Sequence, residues 1–236
     1  MSFLKAEWKR LALANYEVDP EMLKPFLPYK TELDTWNNTC YVSLVGFMFI
    51  NTRVFGMKIP YHVNFEEINL RFYVRHHDGR QWKRGVVFVS EIVPKPVISF
   101  VANTLYNEHY KTRKMFHKWE ETESTMETCY GYFEKGKPQS IAVSTSRNAT
   151  PFAADSETEF ITEHYWGYSS ISENKTTEYE VTHPRWKVYK VLDFTIDFDF
   201  ELAYGSHFSK LNELSPKSVM LAEGSQITVE SKKILR

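Results

Sequence analysis

A carboxylate and an amine occur four residues apart at a junction between two apolar runs, within the stretch from Arg84 to Glu108. Glu91 lies near the end of a run typical of a strand, and Lys95 stands between two prolines ahead of a run typical of a helix. A lysine with a neutral amine can attack a ketone and form a Schiff base, with a nearby carboxylate as acid or base. Lys95 and Glu91 are therefore candidate catalytic residues.

Both residues also have a structural interpretation. Strand alternation groups Glu91 with Val87 and Val89, which makes it a single carboxylate in an apolar row. Such a carboxylate usually pairs with an arginine, here Arg71 or Arg84. A lysine at a corner is usually solvated, and the chemistry therefore depends on whether its amine is buried.

A second set of polar residues alternates with apolar ones between Asn64 and Arg75. Successive strand side chains point to opposite faces, so Glu67, Asn69, Arg71 and Tyr73 share one face. This face either meets water on a half-exposed antiparallel strand or lines the interior of a closed sheet that holds a ligand. In the second interpretation Glu67 is a further candidate acid or base, and Arg71 is a candidate site for a ligand carboxylate.

Histidine-containing and aromatic segments supply further candidates for ligand binding. His62 precedes the polar face, His183 and Arg185 lie in the segment THPRW, and Trp166 lies in EHYWGY. Such clusters either stabilise loops or form an aromatic rim that orients an anionic ligand. The histidine spacing does not match a metal site, and the chain has neither a phosphate loop nor a Gly-x-Ser-x-Gly motif. The sequence therefore predicts neither a metal nor a cofactor.

The composition restricts the class of partner. The 236 residues carry 29 basic and 30 acidic side chains along the whole chain, for a formal charge of −1. Charges that are balanced and spread in this way do not indicate the positively charged patch that binds nucleic acid or an anionic membrane surface. The 14 Tyr, 17 Phe and 6 Trp suffice for a core and an aromatic-lined pocket. We expect a small-molecule ligand, and the composition is compatible with a homo-oligomer.

Targeting signals and cysteines indicate the compartment. Cys40 and Cys129 are isolated, without the spacing of a disulfide scaffold. The N-terminus has charges scattered through its apolar residues, unlike a signal peptide. The longest apolar window, 41–50, is about half the roughly 20 residues of a membrane-spanning helix. We therefore expect a cytoplasmic protein.

The elements that must position the candidate residues are mostly strands. Turn residues separate eight runs rich in β-branched or aromatic residues, at 41–54, 64–75, 84–93, 124–134, 140–147, 176–182, 186–200 and 225–234. Asp78-Gly79 and Lys135-Gly136 predict hairpin turns, and strands joined by short turns are antiparallel. The absence of a flexible linker predicts one domain over residues 1–236.

Helices are expected in three places. Residues 3–15 have apolar side chains near helical spacing, and Asp19-Pro20 begins a second short helix that ends near Phe26. Pro96 begins the clearest helix, with Val97, Ile98, Val101 and Leu105 on the face that should pack across the sheet.

The chain resembles the YqjF-like family, which shares a domain of unknown function (DUF2071) and is assigned to the acetoacetate decarboxylase-like superfamily. The similar segments span nearly the full length and read FLKAEWKRLALANYEVDPEML, YVSLVGFMF, IPYHVNFEEINLRFYVR, RGVVFVSEIVPK, EHYWGYS, EYEVTHPRW and YGSHFSKLNELSPKSVMLAEGS. The resemblance implies an α+β fold, mainly antiparallel β, with a cone-like or barrel-like sheet around a central pocket and a few packing helices. It favours the interior interpretation of the polar face on residues 64–75.

The superfamily also suggests a chemistry, and the sequence departs from it at one position. In the decarboxylase, a lysine in a Pro-Lys-Lys corner forms a Schiff base, and the adjacent cation keeps its amine neutral. Lys95 matches the nucleophile, but Pro96 replaces the second lysine. Burial alone would then have to lower the pKa of Lys95.

Two functions of different class follow from the sequence. The first is a pocket protein that binds a small organic molecule, carboxylate-bearing, through Arg71, His62 and aromatic walls. The alternative is a Schiff-base lyase or decarboxylase that acts on keto acids through Lys95, with Glu67 or Glu91 as acid or base.

Overall fold

The computed structural model describes residues 2–236, which form mostly antiparallel β-structure with a few short helices, as predicted. The strands in this range are β1 (Ser2–Val18), β2 (Glu32–Leu33), β3 (Cys40–Val54), β4 (Phe65–His77), β5 (Trp82–Val93), β6 (Tyr110–Thr112), β7 (Met115–Glu121), β8 (Thr125–Glu134), β9 (Lys137–Thr150), β10 (Trp166–Ser172), β11 (Lys175–Thr182), β12 (Val188–Asp197), β13 (Ser218–Ala222), β14 (Gln226–Glu230) and β15 (Lys233–Leu235). The α-helices are α1 (Pro96–Tyr106), α2 (Glu157–Thr162) and α3 (Phe200–Tyr204), and 3-10 helices occur at Pro20–Met22, Lys24–Phe26 and Ser206–Glu213.

Seven of the strands are joined in a closed cycle of hydrogen-bonded pairings. The cycle runs from β1 through β3, β4, β5, β10, β11 and β14 and returns to β1. Neighbours in the cycle are antiparallel, except that β5 and β10 are parallel. Side chains on one face of these strands therefore point toward one another across the cycle.

The sheet continues beyond this cycle because β1 has two partners on the same edge. The first part of β1 pairs with β14, and residues Leu11 to Asn15 pair with β13. The β1–β3 register shifts between Lys9 and Ala12, where Arg10 has a φ of 51°. From β13 the antiparallel order is β12, β9, β8 and β7.

The two faces of the shared strands supply two hydrophobic cores. Ala12 and Ala14 of β1 belong to one core, together with Leu70 of β4. Leu11 and Leu13 belong to the other core. Because alternate side chains point in opposite directions, β1 is buried on both faces in this region.

The helix predicted for residues 3–15 is wrong, since these residues lie in strand β1. A strand that is buried on both faces has apolar residues at consecutive positions, and over a short window this pattern resembles the spacing of a helix. The predicted helix after Asp19 consists of two 3-10 turns, the first capped by Asp19 Oδ1, which accepts a hydrogen bond from the Glu21 N–H at 2.9 Å.

Most other elements agree with the sequence prediction. All eight predicted strand segments contain strands, and the hairpin turns at Asp78-Gly79 and Lys135-Gly136 join β4 to β5 and β8 to β9. Gly79 and Gly136 have φ values of 94° and 82°, which favour glycine. Strands β2, β6, β7, β10 and β13 were not predicted. In residues 2–236, every helix is too short or too polar to cross a membrane.

Candidate functional site

A cavity of about 130 Å³ is lined by residues from all seven strands of the closed cycle and from helix α1. Aromatic rings form much of its wall, among them Trp8, Phe47, Phe49, Phe65 and Phe88. A cavity of this composition suits an apolar ligand that carries a few polar groups.

Helix α1 covers part of the cavity with the face that its sequence predicted. Val97, Ile98 and Val101 line the cavity, whereas Leu105 is 39% exposed. The helix begins at Pro96, where the missing N–H of proline costs no intrahelical hydrogen bond.

The polar face predicted on β4 is buried, and three of its four residues line the cavity. Glu67 and Asn69 are each 2% exposed, and Arg71 is 9% exposed. The Asn69 side-chain amide donates to Glu67 Oε1 at 2.9 Å. Tyr73 continues the same face beyond the cavity, where its hydroxyl is 2.7 Å from the Ser43 hydroxyl. This face therefore lies in the interior and does not meet water.

Glu91 also lines the cavity, but it reaches this face through a β-bulge. In the pairing of β4 with β5, the partners of Leu70 and Arg71 are Ser90 and Phe88, which leaves one extra residue on β5. A bulge reverses the alternation of all residues that follow it.

The bulge corrects the face that straight alternation predicted for Glu91. Val87 and Val89 contact the core on the other side of the strand, whereas Val86 and Phe88 line the cavity with Glu91. The sequence alone does not indicate a bulge at this point, because no glycine or proline marks it.

The arginines expected to pair with Glu91 bond elsewhere. Arg84 Nε donates to Asp34 Oδ2 at 2.6 Å, and Arg71 Nη2 donates to the Ile161 carbonyl at 3.2 Å. Within residues 2–236, Glu91 Oε2 has no hydrogen-bond partner. Glu91 is therefore a buried carboxyl without a paired cation.

Sequence analysis missed several polar residues of the cavity, among them Glu108, Tyr110 and Tyr179. The Tyr110 hydroxyl donates to Glu67 Oε2 at 3.0 Å, and the Tyr179 hydroxyl donates to Glu108 Oε1 at 2.8 Å. Tyr110 begins β6, a strand of three residues that was not predicted, and Glu108 lies in the loop that precedes it. We refer to Glu67, Glu91 and Glu108 as the acid cluster.

Burial raises the pKa of every carboxyl in the acid cluster above the ordinary value of 4.5. The charges of Glu108 and Glu67 raise the pKa of Glu91 further, whereas hydrogen bonds from Asn69 and Tyr110 oppose the shift at Glu67. The cluster therefore retains protons at pH values where exposed glutamates are ionised. A protonated carboxyl can donate a hydrogen bond as well as accept one.

The position of Tyr179 depends on a glycine on the neighbouring strand. Gly167 pairs with Tyr179, and a Cβ added at Gly167 would lie within the Tyr179 ring. Gly167→Ala should therefore displace the ring, break its hydrogen bond to Glu108 and lower the free energy of unfolding by about 1–3 kcal/mol. Chemical denaturation of Gly167→Ala tests this expectation, with Gly46→Ala in β3 as the milder comparison, because a Cβ added there would meet its nearest atoms at 3.0–3.2 Å. Unchanged stability of Gly167→Ala would contradict it.

Arg71 is the one arginine or lysine among the described residues that line the cavity. Its charge favours the ionised form of Glu67. In the described part of the chain, Arg71 Nε has no hydrogen-bond partner. An unpaired buried N–H of a cation is costly, so Arg71 is suited to receive an acceptor from a ligand.

His164 is a further cavity residue that sequence analysis did not select. Its Nε2 lies 3.1 Å from Asp34 Oδ2, and a carboxylate can only accept, so Nε2 carries the proton. Burial lowers the pKa of His164 to about 4 despite this bond. The ring is therefore neutral near pH 7, and its Nδ1, without a partner among residues 2–236, can accept a hydrogen bond.

Lys95 and His62 are not among the residues that line the cavity. Lys95 is the N-cap of α1 and is half-buried. His62 lies in the loop between β3 and β4, where its Nδ1 is 2.7 Å from the Pro60 carbonyl oxygen. Neither side chain is brought together with the acid cluster.

The other predicted ligand-binding residues divide into two groups. Trp166 and His183 line the cavity, and His183 stacks on Trp186 with ring centroids 4.0 Å apart. Arg185 instead forms an ion pair with Glu159 at 2.7 Å and does not line the cavity. Within residues 2–236, no three His, Cys, Asp or Glu side chains are grouped so that they could hold a metal ion.

Solved structures share this fold at low sequence identity. The enduracididine biosynthesis enzyme MppR complexed with pyruvate is 12% identical, with a TM-score of 0.68, and the match covers 100% of this chain and 91% of that chain. Acetoacetate decarboxylase from Legionella pneumophila is also 12% identical, with a TM-score of 0.66, and the match covers 100% of this chain and 88% of that chain. The mainly antiparallel fold is thus that of acetoacetate decarboxylase-like proteins.

Sequence comparison gives the family. The uncharacterized protein YqjF of Bacillus subtilis (strain 168) is 28% identical over 189 residues, which cover 78% of this chain and 74% of that protein. The DUF2071 pattern, described as an uncharacterized conserved protein, matches residues 5–226. Since this match spans nearly the whole chain, the resemblance drawn from the sequence is confirmed, and the chain belongs to the DUF2071 family.

Proposed function

We propose that this protein binds a small organic molecule with a carboxylate group in the cavity, and that a cone-like sheet formed by the closed cycle of strands encloses the ligand. The observation that carries the proposal is the buried Arg71, whose Nε has no partner among residues 2–236. A ligand carboxylate would supply a charge-assisted hydrogen bond to this group.

The rest of the cavity supports a ligand that is apolar apart from its charged end. Trp8, Phe47, Phe49 and Phe88 offer ring surfaces, and the protonated acid cluster offers hydroxyl donors. The volume of about 130 Å³ is close to the roughly 150 Å³ of an engineered cavity that holds benzene. Because benzene alone occupies that engineered cavity, a ligand that also carries a carboxylate needs a small apolar part, such as a short branched chain.

A structural neighbour supports the choice of ligand class. MppR was solved in complex with pyruvate, which bears a carboxylate next to a ketone. At 12% identity this likeness concerns the fold, and the ligand class is part of our proposal. No lysine is among the described residues that line the cavity of this chain, which bears on the mechanism open to it.

Direct binding measurements test the proposal. Isothermal titration with 3-phenylpropanoate, 4-methylpentanoate and pyruvate, each compared with its amide, measures the contribution of the carboxylate. We expect at least one carboxylate to bind about tenfold or more tightly than its amide, because the amide cannot form the charged hydrogen bond with Arg71. Amides that bind as tightly as the acids would refute the proposal.

The Schiff-base alternative is tested by trapping at Lys95. We expect no covalent adduct when the protein is treated with pyruvate or acetoacetate and borohydride, because Lys95 is half-buried at the start of α1 and does not line the cavity. Intact-mass and peptide analysis detect the adduct, with an acetoacetate decarboxylase as the positive control and Lys95→Ala as the negative one. A mass increment on Lys95 would favour the lyase alternative.

A further inference from the structure

The charged groups that line the cavity do not balance. Arg71 supplies one positive charge, whereas the acid cluster can supply three negative charges. Glu91 is 2% exposed and Glu108 is 7% exposed, and the Oε2 atom of each has no partner within residues 2–236. The cavity therefore contains free acceptors as well as the free donor of Arg71.

We propose that the ligand is zwitterionic, an amino acid with an apolar side chain whose carboxylate binds Arg71 and whose ammonium group binds the acid cluster at Glu91. This inference rests on the proposed function, because it uses the same cavity and the same role for Arg71. It adds the second charged group and thereby the chemical class of the ligand.

The strand register places Glu91 next to Arg71. Asn69 lies two residues from Arg71 on the same face of β4 and pairs directly with Glu91 on β5. Arg71 and Glu91 are therefore diagonal neighbours on adjacent strands, with a separation of about 7–8 Å. The long side chains of Arg71 and Glu91 can converge across this distance on neighbouring groups of one α-amino acid. The charge of Arg71 also acts on Glu67, but the Glu67 carboxylate already accepts from Asn69 and Tyr110.

Electrostatics favours a zwitterion over a simple carboxylate. A carboxylate alone adds negative charge to a cavity that already holds three buried carboxyls, which would keep all three protonated. An ammonium group beside Glu91 allows that carboxyl to ionise and to form a charge-assisted hydrogen bond. Aromatic faces such as those of Trp8 and Phe88 also attract an ammonium group.

A set of three matched ligands tests the inference on the wild-type protein. L-Phenylalanine has both charged groups, 3-phenylpropanoate lacks the ammonium group, and 2-phenylethylamine lacks the carboxylate. L-Leucine, 4-methylpentanoate and 3-methylbutylamine form the same set with a branched chain. Titration calorimetry near neutral pH should show the amino acid binding about tenfold or more tightly than either partial analogue in at least one set.

The outcomes separate this inference from the proposed function. A deaminated acid that binds as tightly as the amino acid would overturn the inference and leave carboxylate binding intact. An amine that binds as tightly as the amino acid would overturn both, since the carboxylate would then contribute nothing. The absence of binding in both sets would contradict both.

Variants of two buried glutamates give an independent test. Glu91→Gln should weaken the binding of the amino acid about tenfold without weakening the binding of the deaminated acid. Glu178→Gln is the matched control, because Glu178 is equally buried but lies outside the cavity, where it pairs with Lys83 at 3.0 Å. An equal loss of affinity for both ligands in Glu91→Gln would mean that Glu91 supports the fold of the cavity without contacting the ammonium group. This result would refute the role assigned to Glu91.

Discussion

Arg71→Met is expected to weaken the binding of a small branched carboxylate such as 4-methylpentanoate about 10- to 100-fold. A hydrogen bond to a charged group contributes about 1.5–3 kcal/mol, and each 1.4 kcal/mol corresponds to a factor of ten in affinity. Methionine fills a similar volume without the charge or the N–H donors. The corresponding amide should bind the variant and the wild type within about threefold of each other, because it does not depend on the positive charge. Isothermal titration of both ligands measures the difference.

Two further variants make this experiment specific. Arg71→Lys keeps the charge but not the planar set of donors, so its affinity should lie between those of wild type and Arg71→Met. Arg75→Met removes an arginine from the same strand, where it is paired with Glu32 at 2.7 Å and does not line the cavity. Arg75→Met should bind the acid like wild type. A similar loss of affinity for the acid in Arg75→Met and Arg71→Met would show that the weaker binding does not depend on the position of Arg71 in the cavity.

The protein is expected to lose stability as the pH rises above about 6.5, and Glu91→Gln should reduce that loss. The acid cluster has raised pKa values in the folded state, so it binds more protons there than in the unfolded chain. Its stabilising contribution is complete below the ordinary pKa of 4.5 and declines as the pH rises through the raised values.

His164 acts in the opposite direction at lower pH. Its pKa falls from 6.5 to about 4 on folding, so its contribution increases with pH over that interval and is complete above 6.5. Above pH 6.5 the change of folding stability with pH therefore reflects the acid cluster, because the contribution of His164 no longer changes. Denaturation should be measured at several pH values between about 5 and 9.

Glu91→Gln should be more stable than wild type near pH 8 and similar to it near pH 5. A tenfold difference in proton affinity between the folded and unfolded states changes the free energy of unfolding by about 1.4 kcal/mol. Each kcal/mol of that free energy changes the Tm of a domain of this size by about 2–4 °C. We therefore expect the Tm to increase by several degrees near pH 8. Glu178→Gln should instead lose stability at both pH values, because it removes the buried carboxylate that pairs with Lys83 at 3.0 Å and leaves that amine only the longer ion pair with Asp78 at 3.5 Å. A lower Tm for Glu91→Gln at pH 8 would show that Glu91 is stabilised by contacts that outweigh its burial.

The sequence by itself determined most of the long strands, the start of α1 and one row of the cavity, but not β1, which is buried on both faces. Alternation on residues 64–75 correctly grouped Glu67, Asn69 and Arg71 on one face of β4, because side-chain direction on a regular strand depends only on its period of two. Turn residues located two hairpins, and Pro96 located the start of α1, since glycine and proline act through their own backbone restrictions. The motifs also sufficed to identify the family.

The tertiary structure decided which polar groups meet. Glu91 joins the cavity only because β4 imposes a bulge on β5, and a bulge is a property of two paired strands. Glu108 and His164 come from distant segments that the closed cycle brings together, while Lys95, which local chemistry made the first candidate, remains outside. Local pattern fixes the direction of a side chain along its own strand. Pairing across the sheet fixes its neighbours, and those neighbours determine its burial, its pKa and its chemistry.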